Sequence, residues 1–126
     1  PTVAVTSTTG DQFMPAMTVL NLTGPLPVSA QFVAPADGPV AMFVSGSAWT
    51  RTAGKAIGAM LSVDGVTQGV CPGYCNEASS HHTLIPVMLT MNLSYGTSGA
   101  HTVSLTASTP DTVSDINDFY QVTLLY

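Results

Sequence analysis

Short segments rich in Val, Thr and Ser run through the chain, and Gly and Pro stand between them. Helical periodicity is nearly absent from the 126 residues, which include 11 Gly and 9 Pro. β-Branched residues favour strands, and clusters of Gly and Pro favour the turns that join strands. The sequence therefore predicts an all-β protein, an antiparallel two-sheet β-sandwich, that forms a single domain over residues 1–126.

The positions of alternating apolar residues predict about eight strands. The turn at Pro35 to Gly38 and the Asp64-Gly65 pair are strong signals for a β-turn and a hairpin. Eight antiparallel strands in two sheets are typical of a jelly roll, and a seven-strand immunoglobulin-like sandwich is the alternative. The predicted strands are 2–8, 17–22, 28–34, 40–49, 57–63, 83–93, 101–106 and 119–126.

The segment 83–93 is apolar on both faces of its predicted strand. One face carries Ile85, Val87, Leu89, Met91 and Leu93, and the other carries Leu84, Pro86 and Met88. A strand in a sandwich normally has one face against the core and one face in solvent, so a second apolar face indicates that something else packs on it. We expect a neighbouring subunit to be that cover, and the interface candidates are Leu84, Pro86 and Met88. The alternative is a monomer in which a loop covers this face.

Charge excludes two classes of partner. The chain has 2 Lys+Arg and 7 Asp+Glu, which gives a net charge of −5. Two cations cannot neutralise a row of phosphates, so neither nucleic acid nor an anionic membrane surface is expected as a partner. No basic-then-apolar leader and no apolar run of about 18 residues is found, so the sequence predicts neither a signal peptide nor a membrane helix.

Trp49 and Arg51 are candidates for sugar binding. A tryptophan ring offers a stacking platform, and an arginine offers hydrogen-bond donors for hydroxyl groups. The alternative is that Trp49 closes the edge of the core at the end of a strand.

Cys71 and Cys75 flank a Pro-Gly pair, which favours a disulfide across a short loop. Free thiols are one alternative, and a zinc site with His81 and His82 is another. Oxygen-bearing side chains before the last strand suggest either turn-capping residues, which we favour, or a calcium site. These residues are Asp111, Asp115, Asn117 and Asp118. We expect neither a metal nor another cofactor.

Catalysis is not expected. Ser45, Ser47, His101 and Asp118 are residue types that a hydrolase uses, but the chain has no Gly-x-Ser-x-Gly motif around a serine. The only glutamate is Glu77, so a pair of glutamates for glycoside cleavage is also missing.

Four segments follow one another in a familiar order: residues 32–40 (FVAPADGPV), Asp64-Gly65, residues 96–103 (GTSGAHTV) and residues 119–124 (FYQVTL). This order of turns and strands resembles the TNF/C1q-like jelly rolls of bacteriophage head and tail proteins and of bacterial trimeric lectins. It implies a homotrimer whose axis is lined by apolar and aromatic side chains, either Tyr120, Val122 and Tyr126 or those of 85–93.

This resemblance implies a non-enzymatic structural protein that decorates or reinforces a virion. Its partners would then be its own copies and capsid or fibre proteins. The alternative is a trimeric, lectin-like module that binds glycans in an extracellular or cell-surface setting.

Overall fold

The computed structural model describes residues 15–35, 37–93 and 99–126. Within these ranges the chain forms nine strands and no helix, so no described helix is long and apolar enough to cross a membrane. The predicted strand 2–8 and most of the turn at 96–99 lie outside the described residues. The strands are β1 (Ala16–Thr23), β2 (Val28–Val33), β3 (Gly38–Ala48), β4 (Lys55–Val63), β5 (Val66–Cys75), β6 (His82–Thr83), β7 (Val87–Leu93), β8 (Ala100–Ala107) and β9 (Phe119–Leu125).

The strands form two antiparallel sheets. One sheet has the order β1-β9-β3, and two further strands pair with β3. Strand β7 pairs with the first residues of β3, and β6 pairs with Ser47 and Ala48 near the end of β3. The second sheet has the order β2-β8-β4-β5. This confirms the predicted all-β fold and its two antiparallel sheets.

The core lies between the two sheets because the inward-facing residues of each strand alternate with wetter ones. Met42 and Val44 of β3 face this layer, as do Val122 and Leu124 of β9, and all four are fully buried. The second sheet contributes the inward-facing residues Ile57, Leu61, Val103 and Leu105. Alternation with period two therefore places one apolar row of each strand inside.

The hairpin predicted at Asp64-Gly65 is confirmed, and the strand that follows it was missed. Asp64 and Gly65 have φ angles of 52° and 82°, which are the positive values that a two-residue type I′ turn requires. The turn returns the chain into β5, which pairs with β4 along its whole length. Sequence reasoning took residues 71–75 for a turn because Pro72 and Gly73 disfavour strands, but β5 lies at the sheet edge, where proline is tolerated.

The segment 83–93 is not one strand with two apolar faces. It breaks between β6 and β7, where Leu84 donates its backbone N–H to the Gly46 carbonyl and Ile85 donates to the Pro72 carbonyl. Because of the break, Leu84 points into the core and is 1% exposed, whereas Ile85 is 62% exposed. The strict alternation of the prediction is wrong here, and the argument that this strand needs a second apolar cover is weakened.

Candidate functional site

Three connecting segments meet at one end of the sandwich. They are residues 49–54 after β3, residues 76–81 after β5, and residues 108–118 between β8 and β9. Trp49 and Val113 exchange backbone hydrogen bonds of 2.9 and 2.8 Å, and Ser79 donates its backbone N–H to the Thr50 carbonyl at 2.7 Å. These bonds hold the three segments against each other, so side chains far apart in sequence become neighbours.

A buried carboxylate anchors this end of the molecule. Asp118 is 0% exposed, and its Oδ1 accepts hydrogen bonds from Ser47 Oγ and His81 Nδ1, each at 2.7 Å. Its Oδ2 accepts the backbone N–H of Asp115 at 2.9 Å. A buried charge is tolerated only when donors replace the lost water, and here three donors do so.

His81 completes this cluster from the segment 76–81. Its hydrogen bond to Asp118 raises the pKa of the imidazole, desolvation lowers it, and the charges of Asp118 and Asp115 raise it further. The net effect is a raised pKa, because Asp118 favours the protonated form. His81 Nε2 also lies 3.8 Å from Asp115 Oδ2. The imidazole is partly exposed, faces two carboxylates and favours its protonated form more than a free histidine side chain does.

Tyr120 fixes the adjoining segment 108–118. Its hydroxyl donates to the Ser47 carbonyl at 2.6 Å and accepts from Ser114 Oγ at 2.7 Å. Desolvation is the main reason that the pKa of Tyr120 rises to about 12, so the hydroxyl keeps its proton and remains a donor. Ser114 Oγ in turn accepts the Leu26 backbone N–H at 3.3 Å, which links this segment to the chain before β2.

A pocket of about 230 Å³ opens beside these segments. Arg51 and Asp111 bring opposite charges to its wall. Thr112 Oγ1 accepts the Gly58 backbone N–H at 3.1 Å, and Thr109 Oγ1 donates to the Ala56 carbonyl at 2.9 Å, so β4 supports the segment that carries Asp111. The pocket is lined by Thr50, Arg51, Thr52, Pro110, Asp111 and Val113.

The two residues proposed for sugar binding, Trp49 and Arg51, contact each other. The Arg51 guanidinium carbon lies 5.2 Å from the centre of the Trp49 ring, within the range of a cation–π contact. The His81 ring also contacts Trp49, with centroids 5.8 Å apart. Trp49 Nε1 is buried and has no hydrogen-bond partner among the described residues. Arg51 lines the pocket, whereas Trp49 does not.

The predicted disulfide is wrong. Cys71 and Cys75 both lie on β5, and both are buried free thiols. Residues four apart on a strand have Cα atoms about 13 Å apart, which is well beyond the ~7 Å limit for a disulfide. Cys71 Sγ instead donates to the Ile85 carbonyl at 3.1 Å. The alternative of free thiols is the one that the structure supports.

The fold groups the residues considered for zinc and calcium binding differently from the sequence prediction. Among the described residues, one group of three has potential ligand atoms within 4.8 Å of each other, and it consists of His81, Asp115 and Asp118. Neither cysteine belongs to it, and Asp111 faces the pocket instead. Asp115 Oδ1 accepts the Asn117 backbone N–H at 2.8 Å, which is the turn-capping role that we favoured.

Three of the predicted interface residues are unavailable to a partner subunit. Leu84, Tyr120 and Val122 are at most 1% exposed because they pack inside the sandwich of their own chain. Pro86 and Met88 are exposed, and Tyr126 is half-buried. For these last three an interface role stays a prediction.

Sequence reasoning missed the pairing of His81 with Asp118. The two residues are 37 positions apart, and no local pattern connects them. The sequence carried no signal for this pair, because the burial of Asp118 is known only from the tertiary structure.

Comparisons with solved structures place this fold among known ones. A region of dimeric latent PorU from Porphyromonas gingivalis matches with a TM-score of 0.54 and 12% identity over 86% of this chain, and it spans 11% of the PorU chain. A family 35 carbohydrate-binding module from Clostridium thermocellum matches with a TM-score of 0.51 and 11% identity, over 86% of this chain and 90% of the module. The C-terminal domain of the sugar-binding protein EclA has a TM-score of 0.46 and 15% identity, over 90% and 79% of the two chains.

Sequence comparison adds no relative, since no protein-family model and no curated protein matches the chain. The shared architecture therefore rests on structure alone. It shows that the chain has an antiparallel β-sandwich fold of the jelly-roll type.

Proposed function

We propose that the chain is a non-catalytic carbohydrate-binding module and that the pocket beside Arg51 is its binding site. The neighbour from Clostridium thermocellum, which has nearly the same extent, is itself a carbohydrate-binding module, and this supports the proposal. Two packed sheets make a rigid support, and the loops at the end of such a support commonly carry the binding residues.

The chemistry of the pocket is the observation that carries the proposal. A sugar offers hydroxyl groups that both donate and accept hydrogen bonds, together with apolar C–H faces. The Arg51 guanidinium can only donate, and the Asp111 carboxylate accepts when it is ionised, so the two complement a hydroxyl-rich ligand. Pro110 and Val113 supply apolar wall for the C–H groups. Mixed walls of this kind are typical of small-molecule sites.

The arrangement of the polar residues supports a non-enzymatic role. In a serine hydrolase the serine hydroxyl is hydrogen-bonded to a histidine that takes its proton. Here the Ser47 hydroxyl donates to the Asp118 carboxylate, and His81 donates to the same oxygen. His101 pairs with Asp64 at the β4–β5 turn, so it does not join them. Among the described residues, Ser47 therefore has no hydrogen-bonded histidine of the kind that activates a hydrolase serine.

We propose that the module acts in an extracellular or cell-surface setting, where glycans are displayed. The virion role, with its homotrimer and its capsid or fibre partners, remains a prediction. Phe43 of β3 and Met88 of β7 are paired neighbours, 40% and 56% exposed, and form one apolar patch that such a contact could use. A patch of two side chains is small beside a stable protein interface.

A panel of immobilised polysaccharides and glycans tests the proposed function. The unaltered chain should retain at least one of them, and Arg51→Gln should weaken that binding about tenfold or more. Lys55→Gln is the matched control, since it removes the other cation of the sequence and Lys55 does not line the pocket. If no glycan is retained, or if both variants bind equally well, the proposal is wrong.

A further inference from the structure

The size of the pocket limits its ligand. Its volume of about 230 Å³ is below the ~300–1,000 Å³ that sites for drug-sized ligands occupy. The space suits one sugar ring and not a row of them. Binding of this kind engages the end of a glycan or a single branch.

The charges in the pocket limit the ligand further. Arg51 and Asp111 are its only ionisable wall residues, so the wall has one charge of each sign. None of the ion pairs between described residues involves either side chain. The carboxylate of an acidic sugar would be attracted to Arg51 but repelled by Asp111, and the chain's net charge of −5 adds to the repulsion. A pair of neighbouring hydroxyls has no such conflict, because one accepts from Arg51 and the other donates to Asp111.

Trp49 acts on the ligand through Arg51. The Trp49 ring contacts both the Arg51 guanidinium and the His81 imidazole, and Trp49 is absent from the pocket wall. Its backbone N–H donates to the Val113 carbonyl and its carbonyl accepts the Val113 N–H, which fixes the backbone from which the ring projects. A guanidinium that rests on an aromatic face loses fewer orientations when it binds a ligand.

We infer that the pocket binds a single neutral sugar unit whose adjacent hydroxyls lie between Arg51 and Asp111, and that Trp49 is a positioning residue for Arg51 and not the stacking platform. This inference rests on the proposed carbohydrate-binding function and deepens it. It names the ligand as one neutral sugar unit, either free or at the end of a glycan, and it reassigns the single tryptophan of the chain.

The first experiment titrates the purified chain with sugars that differ in one property at a time. Binding is measured by ligand-observed NMR at sugar concentrations up to the high millimolar range. The probes are methyl glycosides of neutral hexoses and pentoses, the matching methyl uronides, and oligosaccharides of two to six units. We expect the preferred neutral glycoside to bind within about threefold of its oligosaccharides and at least tenfold more tightly than its uronide. Asp111→Asn should weaken neutral binding about tenfold, and thermal melting checks that this variant, at a half-buried position, folds.

The outcomes separate the two proposals. If no sugar, oligosaccharide or polysaccharide binds, the carbohydrate-binding function itself fails. If glycans bind but affinity rises steeply with length, favours the uronide, or is unchanged in Asp111→Asn, the function stands and this inference is overturned.

A double-mutant cycle tests the role of Trp49. Trp49→Leu should weaken neutral sugar binding several-fold when Arg51 is present and have little effect in an Arg51→Gln chain. A purely structural role would lower the melting temperature in both backgrounds without this dependence on Arg51. Equal weakening in both backgrounds would show that the sugar contacts the indole directly, and the positioning role would then be wrong.

Discussion

The imidazole Nδ1 of His81 lies 2.7 Å from Oδ1 of Asp118, a carboxylate that no water reaches from outside. The same imidazole contacts the Trp49 ring, and that ring in turn contacts Arg51 of the pocket wall. This pair therefore links the stability of the fold to the geometry of the candidate site.

The pH dependence of stability should reveal this pair. Because the folded-state pKa of His81 is raised, its contribution is fully present below the unfolded pKa of about 6.5 and is lost as the pH rises through the folded value. We expect the difference in melting temperature between the unaltered chain and His81→Gln to shrink from pH 5.5 to pH 8.5. A difference in melting temperature that stays constant with pH would contradict the ion pair. The His101–Asp64 pair is present in both proteins, so its own pH dependence cancels in the comparison.

Removing the buried carboxylate should be costly. Asp118→Ala leaves the donors on Ser47, His81 and Asp115 without their acceptor, and the expected loss in unfolding free energy is about 3 kcal/mol. Urea denaturation measures the loss. Asn117→Ala, at an exposed neighbouring position, is the control and should change stability by less than about 0.5 kcal/mol. Equal effects from the two variants would show that Asp118 is not an anchor.

Gly46 is expected to resist replacement because of Tyr120. A Cβ at position 46 would overlap the Tyr120 ring, which its hydroxyl hydrogen bonds hold in place. Gly46→Ala should therefore lower the unfolding free energy by about 1–3 kcal/mol in urea denaturation. Gly69→Ala is the matched control, since the added Cβ meets only the end of the flexible Leu89 side chain. A neutral Gly46→Ala would mean that the ring can shift.

The two cysteines should be reduced and unreactive in the folded protein. Burial raises the pKa of Cys71 to about 11 and also raises the pKa of Cys75, so little thiolate is present at pH 8. Ellman's reagent should titrate almost no thiol in the native state and two thiols per chain in denaturant. If no thiol reacts in denaturant without reductant, the two cysteines form a disulfide and the free-thiol assignment is wrong.

Position 84 should be far less tolerant of charge than position 88. Leu84 is 1% exposed in the core, and Met88 is 56% exposed on the outer face of its sheet. Leu84→Asp should therefore prevent folding, whereas Met88→Asp should fold with nearly unchanged circular dichroism. Light scattering on the second variant adds the oligomeric state, and a trimer that becomes a monomer would support an interface at Met88. A Met88→Asp chain that fails to fold would place Met88 in the core and contradict the break after β6.

The sequence by itself determined the class of fold. Period-two alternation in strands such as β8 and β9, together with the Asp64-Gly65 turn, depends on residues close in the chain, so it can be seen before any tertiary contact is known. The same reasoning identified Trp49 and Arg51 as neighbours two residues apart. Local rules failed at Pro72-Gly73 and at Leu84, because the sheet edge and the core overrode the local preferences there.

Only the tertiary structure decided what the chemically interesting residues do. Asp118 is hydrogen-bonded to His81, which is 37 positions away in the sequence. Arg51 and Asp111 line the same pocket, and an extended strand separates Cys71 from Cys75. Each of these outcomes depends on which loops meet at one end of two sheets. That meeting is set by long-range strand pairing, and no pattern within a short window of sequence encodes it.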